Sequence, residues 1–204
     1  MMHKIDLFPT QIWLEQKPEF VDYLNRASDP FIRKAEENNL LLAQQTNYFG
    51  YSNHSTKLMR EPVFSEFRQY VTDQVARYIN EQGADMSKYN LAITDMWVQE
   101  FAKRGGGFHS AHVHCNDHVS AFFFLKCSDK TSYPIFHDPR IAARMVQLPA
   151  KDPNTISGCS EYIHYKCVPG TLLIFPAYLM HEFPPDHGIE PFRFIHFNFR
   201  GVLK

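Results

Sequence analysis

The chain has 204 residues, enough for one ordinary domain spanning residues 1–204, and 44% of them are hydrophobic, enough for a sizeable core. Phe (18) and Tyr (10) are abundant against only 9 Gly, which favours packed aromatic sheet over flexible chain. A net charge of −1 leaves no excess of positive charge to neutralise a phosphate backbone, so general nucleic-acid binding is not expected and only a local basic patch is left open.

Cys115, Cys127, Cys159 and Cys167 form no C-x-x-C pair, and a chain of this size needs no disulfide framework, so they read as reduced. Met1 to Phe8 holds a single Lys and leads into no apolar run of signal-peptide length, and no membrane-length apolar stretch follows anywhere. The expectation is a soluble, cytoplasmic protein without membrane contact.

Residues 5–13 (IDLFPTQIW) read as a short strand broken by a Pro, which suits an edge. From Pro18 to about Glu37 the apolar residues Phe20, Val21, Leu24, Phe31 and Ile32 recur at helical spacing, with Asp29-Pro30 dividing two helical pieces. Between Glu61 and Gln82, Phe64, Phe67, Val71, Val75, Tyr78 and Ile79 repeat three or four apart, and Gly83 marks the stop. Helical support thus covers about 17–83. Short aromatic and β-branched runs follow at 91–102, 119–126, 133–137, 161–168, 171–175 and 192–199, separated by Gly, Pro, Asn and Asp. This order predicts an α+β chain with a β core over about 91–200 plus strand 5–13, braced by the N-terminal helices.

His109, His112, His114 and His118 crowd the stretch GGGFHSAHVHCNDH between two expected strands. In an extended segment His112 and His114 point to one face and can share a metal, although imidazole alone does not say which. Taken by spacing only, such a cluster is also compatible with a solvated surface. His181 is the candidate third ligand, because it follows a turn, a buried strand and a Pro-marked bend in PGTLLIFPAYLMH; read alone, it is equally a core histidine bonded to a carbonyl. Arg193 opens an alternating strand in which Arg193, Ile195, Phe197 and Phe199 share one face and Phe194, His196, Asn198 and Arg200 the other. Carried inward, Arg193 needs a carboxylate or phosphate, which a bound dicarboxylate or an internal Asp or Glu would supply.

LFPTQIW, HSAHVHCNDHVSAFFFL, IFHDPR, PGTLLIFPAYLMHEF and FRFIHFNF together resemble a family of 2-oxoglutarate/Fe(II) oxygenases found in bacteria and phages, with the usual text H-x-H-P, S-G-V-Y-Y-L, F-x-D-P-R, P-G-x-L-x-x-F-P-S-x-L-x-H and R-x-S-x-x-F-N. The resemblance implies a double-stranded β-helix, a jelly-roll or cupin-like core. Its open end would hold Fe(II) on His112, His114 and His181, with Arg193 binding the distal carboxylate of 2-oxoglutarate and Asn198 a further co-substrate contact. The implied activity is a 2-oxoglutarate- and O2-dependent dioxygenase, a hydroxylase releasing succinate and CO2. Its substrate would be a small molecule or a protein side chain. The alternative is a cupin-like three-His metal protein that acts without a keto acid, and a third reading is a β-sandwich whose histidines are incidental.

The chain departs from the family in three places. His114 stands where the wider superfamily has Asp or Glu, which changes the charge at the metal by one unit and leaves Asp117 or Asp138 as a substitute carboxylate and His109 as a spare imidazole. Cys115-Asn116 replaces the usual Pro. Ala121 replaces Gly and is expected to narrow the pocket by a methyl group. Asp138-Pro139-Arg140 reads as a turn capped by Asp, with Arg140 able to reach the substrate mouth, and Trp97 and Tyr178 as core or pocket wall. Loops at 40–60 and 139–161 are the expected rim, with 43–56 either lining the pocket or lying as plain surface loop.

Overall fold

The structure, a computed structural model, describes residues 3, 5–46, 50–146 and 148–204. The helical periodicity near residue 70 gives α2 (Ser65–Glu81), which buries Phe67, Val71, Val75, Tyr78 and Ile79 along one face. A 3-10 turn over Pro62–Phe64 leads into it. Gly83 ends it at φ +80°, a conformation that only glycine adopts without strain.

Ahead of it, α1 (Val21–Thr46) is one continuous helix with Pro30 inside, where the sequence predicts two pieces. Pro30 removes one donor from the helical ladder. Arg193 braces the same stretch from outside by donating to the Asn25 carbonyl, Ser28 Oγ and the Asp29 carboxylate in the turn before it. Tertiary contact thus holds a turn that local sequence weakens.

Among the described residues ten strands build two sheets: β1 (Trp13–Gln16), β2 (Ser52–His54), β3 (Tyr89–Phe101), β4 (His109–His112), β5 (Val119–Lys126), β6 (Ile135–His137), β7 (Tyr162–His164), β8 (Thr171–Pro176), β9 (His181–Phe183) and β10 (Arg193–Leu203). The larger sheet runs β1-β8-β5-β10-β3-β2 and the smaller β4-β9-β6-β7. From β3 to β10 the chain crosses between the sheets so that each is antiparallel throughout, which is the double-stranded β-helix. The opening strand does take an edge, against β8, but at residues 13–16 and not 5–13. Ile5, Leu7 and Phe8 are exposed, and Phe8 sits at φ +56°, off the extended conformation.

Alternation along β10 divides the core. Ile195, Phe197 and Phe199 point to the helices, where Phe67 meets Phe123 at 4.8 Å and Phe197 at 5.7 Å between ring centroids. Phe194 points between the sheets, into a second cluster with Phe101, Phe122, Phe124, Phe136, Phe175, Phe183 and Phe192. Ala121 belongs to the helix-facing cluster, so its methyl does not narrow the interior. Among the described residues no helix is long and apolar enough to cross a membrane.

Candidate metal centre

Glycines set the entry to the site. Gly105 and Gly106 take φ +79° and +84°, and a Cβ on Gly107 would stand 2.5 Å from the Phe101 ring, so this segment can turn tightly from β3 into β4. Strand β4 then pairs with β9 in a register that puts His112 opposite His181. His114 lies just beyond β4, where its N–H donates to the Ala177 carbonyl at 2.9 Å. Asn116 follows at φ +76°, a conformation Asn tolerates and Pro cannot adopt.

Ligand atoms of His112, His114 and His181 lie within 4.8 Å of one another. The ring centroids are 4.4 Å apart for His112 and His181, and 5.1 Å from His114 to each of the others. His112 Nδ1 is 2.7 Å from the Ser110 carbonyl and His181 Nδ1 is 2.9 Å from the Leu179 carbonyl. Each carbonyl calls for a proton on Nδ1, which leaves the Nε2 lone pair for a metal. Asn198 bridges Ser120 Oγ, at 2.7 Å, and His114 Nδ1, at 3.2 Å. Its Oδ1 accepts from Ser120 Oγ and its Nδ2 faces His114 Nδ1, so the tautomer of His114 follows which way the Asn198 amide is turned. Asn198 therefore sits behind a ligand as a positioning residue, not among the co-substrate contacts that the resemblance implied.

Nε2 of His114 and of His181 are buried and have no hydrogen-bond partner. Burying polar atoms unpaired is costly, and a divalent cation satisfies both. Burial also pushes the His181 imidazole down to about 3 and His114 to about 4, so both are neutral and ligand-competent at pH 7. A metal fits this donor set.

These shifts fix a pH dependence. Unfolded imidazoles take up protons below about pH 6.5, whereas in the folded chain His181, His114 and His109, which burial pushes to about 4, stay neutral until near pH 4 or lower. The unfolded state binds more protons over that window, so the metal-free protein should lose stability as pH falls from about 6.5 toward 4. A calorimetric melting temperature that stays flat between pH 7 and 5 would contradict the neutral burial of His109, His114 and His181.

The remaining site candidates lie elsewhere. His109 is taken up by Gln99 Oε1 at 3.0 Å. Asp117 accepts from Thr94 Oγ1 at 2.7 Å and Asp138 pairs with Arg140 at 2.8 Å, so neither carboxylate joins the three ligands. The Arg140 backbone N–H bonds Asp138 Oδ1 at 2.9 Å, the turn that the sequence suggests. Trp97 walls the site, stacked at 4.1 Å on His196. Tyr178 instead lines an outer cleft of about 340 Å³ with Tyr78, Met86 and His118. Of the expected rim, 43–46 ends α1, 47–49 lie outside the described residues and 52–54 form β2, while 139–161 is mostly exposed loop.

Arg193 requires a correction. It faces away from the histidines, buried between β10 and α1, with Nε 2.7 Å from Glu100 Oε2 and a terminal nitrogen 2.6 Å from Asp29 Oδ1. The motif text explains why. Aligned on Phe197-Asn198, R-x-S-x-x-F-N puts its Arg at position 192, which is Phe here, and residues 192 and 193 fall on opposite faces of a strand. Phe192 and Phe194 fill the interior where a carboxylate anchor would project, and Phe175, Phe122 and Phe136 stand 4.8, 5.6 and 6.1 Å from His181. The residues present therefore fit a metal but do not fit 2-oxoglutarate in the expected orientation.

One residue of the site is not singled out by sequence reasoning. His196 is 1% exposed, lies 4.7 Å from the His114 ring, and has a partner at neither ring nitrogen. Strand alternation alone puts it on one face with Asn198. Its contact with the metal ligands is not readable that way.

Residues 95–198 match the family model described as Putative 2OG-Fe(II) oxygenase. Among solved structures, a Pseudomonas putida prolyl-4-hydroxylase is 14% identical, with 94% of this chain and 93% of that one covered at a TM-score of 0.57. EctD from S. alaskensis is 13% identical, with 94% and 73% covered at 0.61. HygX from Streptomyces hygroscopicus, crystallised with nickel and 2-oxoglutarate, is 12% identical, with 94% and 83% covered at 0.56. At such identities the likeness is one of fold. No curated protein matches the chain.

Proposed function

Because the chain belongs to the Putative 2OG-Fe(II) oxygenase family, whose chemistry is iron- and 2-oxoglutarate-dependent oxygenation, we propose that it holds one Fe(II) on His112, His114 and His181 and hydroxylates a substrate there. The observation that carries this reading is the convergence of His112, His114 and His181, with orphaned Nε2 atoms on the last two, which burial keeps neutral. When bound, the iron supplies the binding and reduction of O2 that oxygenation requires. The chain's own contribution is to orient the ligands. Carbonyls of Ser110 and Leu179 set the tautomers of His112 and His181, Asn198 holds the His114 ring in place, and the phenylalanine wall keeps water from the inner side. Three neutral ligands leave the full double positive charge on the metal, one unit more than a two-His, one-carboxylate site, which favours anionic co-ligands.

The substrate is a small molecule or a protein side chain, and the setting is cytoplasmic, in keeping with cysteines that form no disulfide. One observation favours a second reading, a three-His metal protein that works without a keto acid: the interior beyond the metal is lined by phenylalanine. Anaerobic titration separates the two. Purified protein should take up one Fe(II) or Mn(II) per chain with a rise in melting temperature, and the loaded protein should then bind 2-oxoglutarate. Metal uptake without 2-oxoglutarate binding supports the second reading, and far less than one metal per chain overturns both.

A further inference from the structure

Away from the metal centre, one cleft combines aromatic walls with a single charge. The space of about 340 Å³ between the end of α2 and the larger sheet is walled by Tyr78, Tyr89, Tyr178 and Met86, with Asp85 and His118 among its polar groups. None of the three metal ligands lines it. Tyr78 is 2% exposed and its ring is fixed in place: the hydroxyl donates to the Gln11 carbonyl at 3.0 Å, and Trp13 meets the ring edge to face at 5.4 Å. Tyr89 and Tyr178 are 41% and 60% exposed, so much of each ring is open to a ligand.

Charge decides what fits. Among the described residues no Lys or Arg lines the cleft. Asp85 accepts the Ser87 backbone N–H at 2.8 Å, which holds its carboxyl below the usual range and keeps it ionised at pH 7. His118 accepts the Gly201 N–H at 3.3 Å through Nδ1, a role open only to the uncharged ring. Lys204 lines the neighbouring groove, where its Nζ donates to the Ser87 carbonyl at 2.7 Å. The cleft therefore presents one negative charge and the electron-rich faces of phenol rings. An anion is repelled and a neutral apolar body leaves Asp85 unused, whereas a cation meets both features.

We propose that this cleft binds a small organic cation, a methylated ammonium group seated against Tyr78, Tyr89 and Tyr178 with Asp85 as its counter-charge. Methyl groups cover the charged nitrogen, so such a cation enters an aromatic cleft without giving up the hydrogen bonds that a bare ammonium makes to water. The site does not depend on the metal reading, although it is built on the same two segments. His118 follows His114 in one turn and Tyr178 precedes His181 in the other. The His114 N–H donates to the Ala177 carbonyl at 2.9 Å and the Ala177 N–H to the His118 carbonyl at 3.0 Å, which ties the two together.

Calorimetry on the full chain tests this with two probes of one shape: choline, and its neutral isostere in which a tert-butyl group replaces the trimethylammonium group. Wild type should bind choline about 3- to 30-fold more tightly than the isostere. Tyr178→Leu and Tyr89→Leu change half-exposed positions that the fold does not depend on. Each should weaken choline about 3- to 10-fold and leave the isostere within about twofold, because leucine keeps apolar area and removes the ring face. Asp85→Asn should weaken choline alone, and added salt should do the same to wild type. Equal affinity for the two probes overturns the proposal in favour of an apolar occupant, and choline binding that none of the three substitutions changes places the cation elsewhere and overturns it too. An absence of choline binding to wild type likewise overturns it, while metal uptake by the three histidines stands or falls on its own titration.

Discussion

Arg193→Met is expected to lower folding stability by about 3–5 kcal/mol, read as a lower urea midpoint at unchanged slope, while the folded variant keeps its metal affinity. The guanidinium is 4% exposed and its partner Glu100 is 10% exposed at the side chain, so removing one leaves the other charged and buried. Lys126, 3.2 Å from Glu100, compensates in part, being itself one third exposed. Asp29 is nearly half exposed and returns to solvent at little cost, although Arg193 now holds its carboxyl below the usual range. The penalty therefore resides mostly in Glu100, and Arg193→Met combined with Glu100→Gln should recover a large part of it. The same residue read as a co-substrate anchor would give the opposite pattern, unchanged melting with lost 2-oxoglutarate binding.

That contrast marks how far the sequence could be read. Period-two alternation in FRFIHFNF correctly separates Arg193 from His196 and Asn198, but periodicity does not say which face meets the helices and which meets the second sheet. The aromatic runs at 119–126 and 171–175 become β5 and β8 almost to the residue, because strands buried on both faces are apolar throughout. Strands β2, β4 and β9 are not legible, since SNH, HSAH and HEF are short and show no hydrophobic pattern, the last two carrying metal ligands instead. His181 and His112 face each other through the β4–β9 register, a long-range pairing that local spacing cannot express. Likewise Pro30 signals a break locally, and only the contact with Arg193 explains why α1 runs through it.

His181→Ala should have the largest effect on the metal, an affinity loss on the order of a hundred- to a thousandfold, if a ligand contributes roughly a quarter of a 10–16 kcal/mol site. His181 is the most rigidly held of the three: it is fully buried, its Nδ1 is fixed by Leu179, and Phe175 and Phe122 pack on its ring. His114→Asp makes the informative comparison. An aspartate there restores the two-His, one-carboxylate donor set and lowers the charge at the metal by one unit, but it forfeits the bond that Asn198 makes to the imidazole. Metal affinity measured by competition with a chelator should therefore survive His114→Asp and collapse with His181→Ala. If both substitutions leave the metal bound, the triad is not its site.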